Sequence, residues 1–360
     1  MLTNFYIYSP VKLYVEVDPK EVLLNFFKSK NCIGVISGKN AVLKTGFKEF
    51  LLTEFRDKDL YFFDEVEENP SINNVIKAGR FLRDNRCEAV VAFGGGSAID
   101  AGKAAAVFAE NNLPFYELLS KEDYNKPIPL LAIPTTCGTG SEMNNYSIIT
   151  DIEKADKVNF NKPDSYPEVA LLWSDYLKTL DERIIIATAF DAFTHAFEGY
   201  ISIASNPFTD ILAIEAMEII VRNIKEVIDK ATLDLKELLF ASSLAGIVIA
   251  HTGTTLLHAL GYYLTNHYKI HHGEANAILL PSFIDICKGK GVGKVTKIEE
   301  IFKKNRFNVS QAVKEIFHVK IYDIIDKNNA VKMIDYALNK PNSKKTPFIA
   351  RQDYILNNLF

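Results

Sequence analysis

Apolar and polar positions change their period partway along this chain, and the change divides it in two. Residues 6–18 alternate (Tyr-Ile-Tyr, then Val-Lys-Leu-Tyr-Val-Glu-Val), which predicts one or two edge strands. Helical spacing follows within 19–30, at Val22, Leu23, Phe26 and Phe27. Cys32-Ile-Gly-Val-Ile-Ser is a short apolar run before Gly38, the pattern of a strand covered on both faces. A helix is expected at about 40–54, a strand over Tyr61-Phe-Phe-Asp-Glu-Val, a helix over 71–86 and a third buried strand in Ala89-Val-Val-Ala-Phe-Gly. Leu130-Leu-Ala-Ile, 146–150 and 169–173 are further strand-like runs. Strands alternating with helices of this length predict a right-handed parallel βαβ array. Beyond 177 strand-like runs nearly vanish, and helical patterns fill 182–204, 207–229, 233–250 and 253–266, with Asn206 and Pro207 as a helix start. The expected plan is a parallel-sheet α/β domain over 1–177, followed by an all-α domain over 178–360.

Composition leaves that picture intact. At 360 residues the chain is too long for one ordinary core. With 48% apolar and 24% charged residues it reads as globular, and a net charge of −4 makes no electrostatic case for nucleic acid or a membrane surface. The four cysteines, Cys32, Cys87, Cys137 and Cys287, lie far apart without CxxC spacing, so a reducing, cytoplasmic setting is expected rather than a disulfide framework. The start, Met-Leu-Thr-Asn-Phe-Tyr, lacks the basic-then-apolar pattern of a signal peptide. The most apolar helical run, 238–250, carries two serines and reads as too short to span a bilayer.

Three stretches carry candidate chemistry. Gly94-Gly-Gly-Ser-Ala-Ile-Asp100-Ala-Gly-Lys103 follows a strand and opens an Ala-rich helix. That junction aims free backbone N–H groups and the positive end of a helix dipole at an anion, although it is not the GxGxxG fingerprint. Pro134-Thr-Thr-Cys-Gly-Thr-Gly-Ser-Glu142 puts hydroxyls at the carboxyl edge of a sheet, where open α/β folds bind ligands. In Asp191-Ala-Phe-Thr-His195 a carboxylate and an imidazole stand one helical turn apart on one face, a geometry in which both can grip one cation. His258 and His272 are further candidate ligands, provided the chain turns between them, and Gly261 and Thr265-Asn-His267 permit that turn. A lone histidine is more often a structural residue, the Asp191–His195 pair is evenly balanced between the two readings, and the two loops favour ligand binding over a plain turn.

Together the motifs resemble those of the iron-containing (group III) alcohol dehydrogenases of the dehydroquinate synthase-like superfamily. The matching residues are Gly94–Asp100, Pro134–Glu142, Asp191-Ala-Phe-Thr-His-Ala-Phe-Glu198, Gly253-Thr-Thr-Leu-Leu-His-Ala-Leu-Gly261 and His272-Gly-Glu-Ala-Asn-Ala277. The resemblance implies that Asp191, His195, His258 and His272 bind one divalent metal, Fe²⁺ or alternatively Zn²⁺. It implies that Gly95, Gly96, Ser97 and Asp100, with Thr135, Thr136, Thr139, Lys157 and Asn69, hold a dinucleotide in a cleft between the domains. It further implies hydride transfer between the nicotinamide and a small primary alcohol or aldehyde, with the metal as Lewis acid, in a homodimer. No side chain is then needed as general base if the alkoxide forms on the metal. The alternative is a glycerol or diol dehydrogenase, or another enzyme of the superfamily.

Two positions depart from the family pattern. Tyr262 stands where many members carry a relay histidine, so Tyr262, His267 or His271 remain as relay candidates. Phe190 replaces the usual glycine before the metal aspartate and is expected to narrow the pocket. After the second strand the chain reads Ser37-Gly38-Lys39-Asn40. With no carboxylate there to accept from a ribose 2′-OH, and with Lys39 adjacent to Gly38, NADP(H) is expected in preference to NAD(H).

Overall fold

The structure is a computed structural model that describes residues 4–359. The chain folds into two compact units. One is Tyr8–Thr136 with Ser141–Thr179; the other takes in residues 180–359, Cys137–Gly140 and residues 4–7.

The first unit carries β1 (Lys12–Val15), β2 (Cys32–Ser37), β3 (Asp59–Phe63), β4 (Ala89–Gly94), β5 (Leu130–Pro134), β6 (Ile148–Asp151), β7 (Asp156–Asn159) and β8 (Val169–Leu172). Six of them form one parallel sheet in the order β1-β8-β5-β4-β2-β3. Its helices are α1 (Pro19–Phe27), α2 (Lys39–Lys44), α3 (Phe47–Glu54), α4 (Ile72–Asp84), α5 (Gly96–Glu110) and α6 (Phe115–Ser120). Successive strand residues point to opposite faces, and both faces are covered. On β4, Val91 and Phe93 join a core with α1–α3, whereas Val90 and Ala92 join one with α4–α6. Both cores exclude water, which is why the strands read as unbroken apolar runs.

The chain passes from β2 to β3 on one side of β2, then returns to the other side with β4. The direction of winding therefore reverses between β2 and β4, and the crevice outside their carboxyl ends is where such sheets take up ligands. Gly38 follows β2 and Gly95 follows β4, so both candidate cofactor loops flank this point.

Several expected elements differ. The helix over 40–54 is two helices, α2 and α3, because Gly46 adopts a left-handed φ of 70° between them. The strand expected from 61 begins at Asp59, in register with Cys32. The 146–150 run does not join the sheet; β6 pairs antiparallel with β7, an element not expected at all. Residues 6–18 contribute a single strand, β1, at the sheet edge beside β8.

The helical unit begins with α7 (Glu182–Ile201), α8 (Pro207–Ile228), α9 (Leu235–Thr252), α10 (Leu256–Tyr268) and α11 (His272–Gly289). α7 is buried on every side from Ile185 to Ile201 and packs against α8, α9, α10 and α11. A helix buried all round is a core helix. Asn206 caps α8 through a reciprocal box with Thr209, and Pro207 opens it. α9, capped by Asp234, answers the helix expected at 233–250 but continues to Thr252, so its apolar stretch is longer than the 238–250 run. Its 18 residues are long and apolar enough to cross a bilayer, but most of them are buried in this unit, where the helix packs against α7 and α8.

Candidate metal centre and nucleotide site

α7 places Asp191, His195 and Glu198 at i, i+4 and i+7, one stripe of one helix. α10 brings His258 to that stripe. Ligand atoms of Asp191, His195 and His258 all lie within 4.8 Å of one another, and all three residues are buried. The His195 and His258 rings stack at 4.5 Å. His258 Nε2 is 3.5 Å from Asp191 Oδ1 and, among the described residues, has no hydrogen-bond partner. His272 stands beside this trio at the start of α11, its Nε2 3.7 Å from Asp191 Oδ1 and its ring 5.3 Å from that of His258. The turn bringing it there is not at Gly261 or Thr265–His267, which remain helical; it follows Tyr268, where Lys269 takes a left-handed φ of 58°.

Each imidazole is oriented from behind. His195 Nδ1 lies 3.2 Å from the Gly138 carbonyl, so it donates there and turns Nε2 inward. His258 Nδ1 bonds the Glu198 carboxylate. Asn276 spans two candidate ligands: its Nδ2 donates to Asp191 Oδ1 at 3.0 Å and lies 3.2 Å from His272 Nε2. Glu198 and Asn276 escaped sequence reasoning. The signal was present, since Glu198 continues the Asp191–His195 stripe and Asn276 is one turn beyond His272.

Electrostatics suits a cation. Burial works to raise the Asp191 pKa, but the charges of His195, His272 and His258 overcome it, holding the carboxyl well below its usual range. Burial lowers His195, against the charge of Asp191. Burial likewise pushes His272 down to about 3. His258 is the exception: burial lowers it, yet the charge and hydrogen bond of Glu198 and the charge of Asp191 lift it to about 9. Its Nε2 is where a proton and a metal ion would compete. A buried carboxylate, imidazoles with inward lone pairs and an unpartnered Nε2 together fit a divalent first-row metal.

The relay candidates separate. The Tyr262 ring stacks on His272 at 5.0 Å with a 13° interplanar angle. His271, preceding α11, has a buried Nδ1 without a hydrogen-bond partner among the described residues. His267 is nine residues past His258 on the same helix, about 13 Å along its axis, exposed and packed on Tyr263. The structure does not bring it to the cluster. Phe190 is fully buried and packs against Phe317, with ring centroids 5.4 Å apart.

Space at the ligand helices is tight. A Cβ on Gly273 would stand 1.9 Å from the Ala187 carbonyl oxygen and 3.2 Å from Asp191 Cβ. Gly273→Ala must therefore push α11 off α7 and carry His272 away from Asp191. We expect a loss of about 1–3 kcal/mol of stability, as for other overpacked sites, together with weaker metal retention. Denaturant unfolding and metal analysis of the same preparation check both.

In the first unit, Gly94 has φ 144°, a conformation that favours glycine. It leads to Gly95, the N-cap of α5, and Thr135 N donates to Gly94 O across the neighbouring strand at 2.9 Å. Gly95, Gly96, Thr135 and Thr136 thus line adjacent carboxyl ends, with a Gly95 Cβ position only 3.2 Å from Thr136 Cγ2. Three other expected cofactor residues form one cluster: Asn69 N donates to Ser97 Oγ at 3.2 Å, and Lys157 Nζ to Asn69 Oδ1 at 2.8 Å. Asp100 accepts from Ser141 Oγ and, at 2.8 Å, from Ile148 N. Thr139 lies in Cys137–Gly140, which groups with the helical unit. Cys137 is a packing residue whose thiol burial pushes up to about 11. Gly38 has φ −83° and ψ 146°, and a Cβ there would meet only the Val66 carbonyl, at 3.6 Å. Glu65, its bridge partner, is bonded to Lys77.

Comparison with known proteins agrees with this geometry. The profile described as iron-containing alcohol dehydrogenase matches residues 10–174, and that of the Fe-containing alcohol dehydrogenase family, C-terminal, matches 185–358. Alcohol dehydrogenase 4 of Saccharomyces cerevisiae is 33% identical over 290 residues, spanning 78% of this chain and 74% of its own. The 1,3-propanediol dehydrogenase of Citrobacter freundii is 33% identical over 281 residues, 72% of each chain. An iron-containing alcohol dehydrogenase structure from Thermotoga maritima superposes with a TM-score of 0.88 at 34% identity, covering 99% of this chain and 98% of that one. The chain belongs to the iron-containing alcohol dehydrogenase family, a family of oxidoreductases.

Proposed function

We propose that this protein catalyses reversible hydride transfer between NADP(H) and a small primary alcohol or aldehyde, using a divalent metal, Fe²⁺ ahead of Zn²⁺. The observation that carries the proposal is the buried Asp191–His195–His258 trio with His258 Nε2 unpartnered and His272 beside it. A cation held there supplies Lewis acidity toward the substrate oxygen, and a bound nicotinamide supplies or takes up the hydride. The chain's own part is positioning. Asp191 contributes the negative charge, His195, His258 and His272 the nitrogens, and Gly138, Glu198 and Asn276 hold the set in register. Backbone N–H groups from Gly95 to Ser97, at the N-terminus of α5, would receive a pyrophosphate, with Asn69 and Lys157 beside Ser97 to hold it. Tyr262, stacked on His272, is the group we assign to the proton path. A diol is the second substrate reading, favoured by the resemblance to 1,3-propanediol dehydrogenase. A homodimer is the proposed assembly, measurable by light scattering.

The test uses protein reconstituted anaerobically with Fe²⁺ or Zn²⁺, offered NADPH or NADH with short-chain aldehydes and the oxidised cofactors with alcohols and diols. Turnover is followed at the nicotinamide absorbance. Metal-loaded protein that turns over none of them sinks the proposal.

Cofactor preference has its own test. Gly38 has ordinary extended dihedrals and an open Cβ direction, so Gly38→Asp fits without strain. Its carboxylate would accept from a ribose 2′-OH and repel a 2′-phosphate near Lys39. A hydrogen bond to a charged group contributes about 1.5–3 kcal/mol, so the NADPH-to-NADH ratio of kcat/KM should fall about 10–100-fold. Equal or better efficiency with NADH in the parent protein, or unchanged NADPH affinity in the variant, would show the preference wrong.

A further inference from the structure

We infer that Glu198 is a positioning residue for metal binding: it holds the ring proton of His258 on Nδ1, so that Nε2 is the nitrogen that ligates. The inference deepens the metal-site reading above and rests on it. Glu198 is fully buried. Its Oε1 accepts from three donors, Thr255 N at 2.8 Å, Thr255 Oγ1, and His258 N at 3.3 Å. Its Oε2 faces His258 Nδ1. Every group around the carboxylate is a donor, so it acts only as acceptor and the proton between it and the ring stays on Nδ1. The opposite nitrogen, Nε2, points at Asp191 Oδ1 and meets no hydrogen-bond partner among the described residues. Thr255 is also the N-cap of α10, the helix that carries His258. One α7 carboxylate therefore satisfies the first turn of α10 and sets the face its imidazole shows.

The Glu198→Gln isostere separates orientation from packing. Its amide oxygen must stay where three donors converge, which leaves its NH₂ against His258 Nδ1. Nδ1 must then accept, the ring proton moves to Nε2, and the ligating lone pair is lost. Zinc affinity, read by competition with a chromophoric chelator, should fall about 10–100-fold, the range for outer groups that orient a ligand. Nitrogen NMR of ¹⁵N-histidine-labelled, zinc-loaded wild-type protein should show His258 protonated at Nδ1 and coordinated through Nε2. A purely structural Glu198 would move neither signal. Coordination through Nδ1 in the wild type overturns the inference even if the variant does not fold. Unchanged zinc affinity in a folded Glu198→Gln protein overturns it as well. His195→Ala, measured in parallel, keeps the two readings apart. If it too retains zinc, the metal site itself is misplaced; if it loses zinc while Glu198→Gln does not, only the role of Glu198 falls.

Discussion

Asp191→Asn should yield a folded protein that neither retains a divalent metal nor reduces an aldehyde at a useful rate. The substitution keeps the shape of the side chain, and its oxygen can still accept from Asn276 Nδ2, which lies 3.0 Å from Asp191 Oδ1. What disappears is the negative charge, in a site whose other candidate ligands are imidazoles. Asn offers only a neutral carbonyl, so metal affinity should drop by more than the 10–100-fold typical of changes behind a ligand. Lewis acidity contributes several kcal/mol to stabilising a developing oxyanion. At about 1.4 kcal/mol per tenfold, its loss lowers kcat/KM by about 10³-fold or more. Elemental analysis after dialysis and nicotinamide absorbance after reconstitution read the two effects separately. A variant with full metal content and undiminished turnover would place the chemistry elsewhere.

Lys103→Met is expected to be the most destabilising single change in the first unit. Lys103 is 1% exposed, an unusual state for an ammonium group. Burial lowers its pKa, against the charge and hydrogen bond of Asp100 and the charge of Glu142. Its Nζ donates to Ser141 O at 2.9 Å, Ser141 Oγ at 2.6 Å, Asn144 Oδ1 at 3.2 Å and the Tyr146 carbonyl, and lies 3.2 Å from Asp100 Oδ1. It thus pins the 141–146 loop to α5. Methionine matches its volume but donates nothing, leaving carbonyls and carboxylates uncompensated in an apolar setting. Removing one partner of a buried ion pair costs about 3–5 kcal/mol. Each kcal/mol shifts Tm by about 2–4 °C at this domain size, so a drop of on the order of 10 °C should appear in calorimetry. A shift of a degree or two would mean that water or a neighbour replaces the ammonium.

These two residues differ in how far sequence alone reaches. The Asp191–His195 pair is legible because a helix repeats every 3.6 residues, which turns a spacing of four into a shared face. The buried strands are legible for a similar reason, since a parallel sheet covered on both sides admits only apolar runs such as Ala89–Phe93. Lys103 gives no such sign: nothing in an Ala-rich helix says that its lysine turns inward. β7, Asp-Lys-Val-Asn, holds one apolar residue and exists because β6 pairs with it. Glu198 stood in plain view in the metal motif, yet its role depends on Thr255 and His258, 57 and 60 residues away. The acceptor for His195 is harder still, because the Gly138 carbonyl is a backbone atom that any residue would offer.

That carbonyl has a consequence for recombination. Cys137–Gly140 belongs with the helical unit although the rest of that unit, beyond its N-terminal residues, begins at Leu180. Gly140 lies directly on Gly246 of α9, where a Cβ would come within 2.4 Å of the Gly246 Cα. A chimera joined near 180, pairing the nucleotide half of one relative with the helical half of another, would import a foreign loop at this spot. It would exchange the loop whose carbonyl stands behind the candidate ligand His195 while leaving every candidate ligand in place. Crossovers that carry residues 137–140 together with the helices keep that support native, so the candidate metal centre is inherited as two separated pieces of gene rather than one.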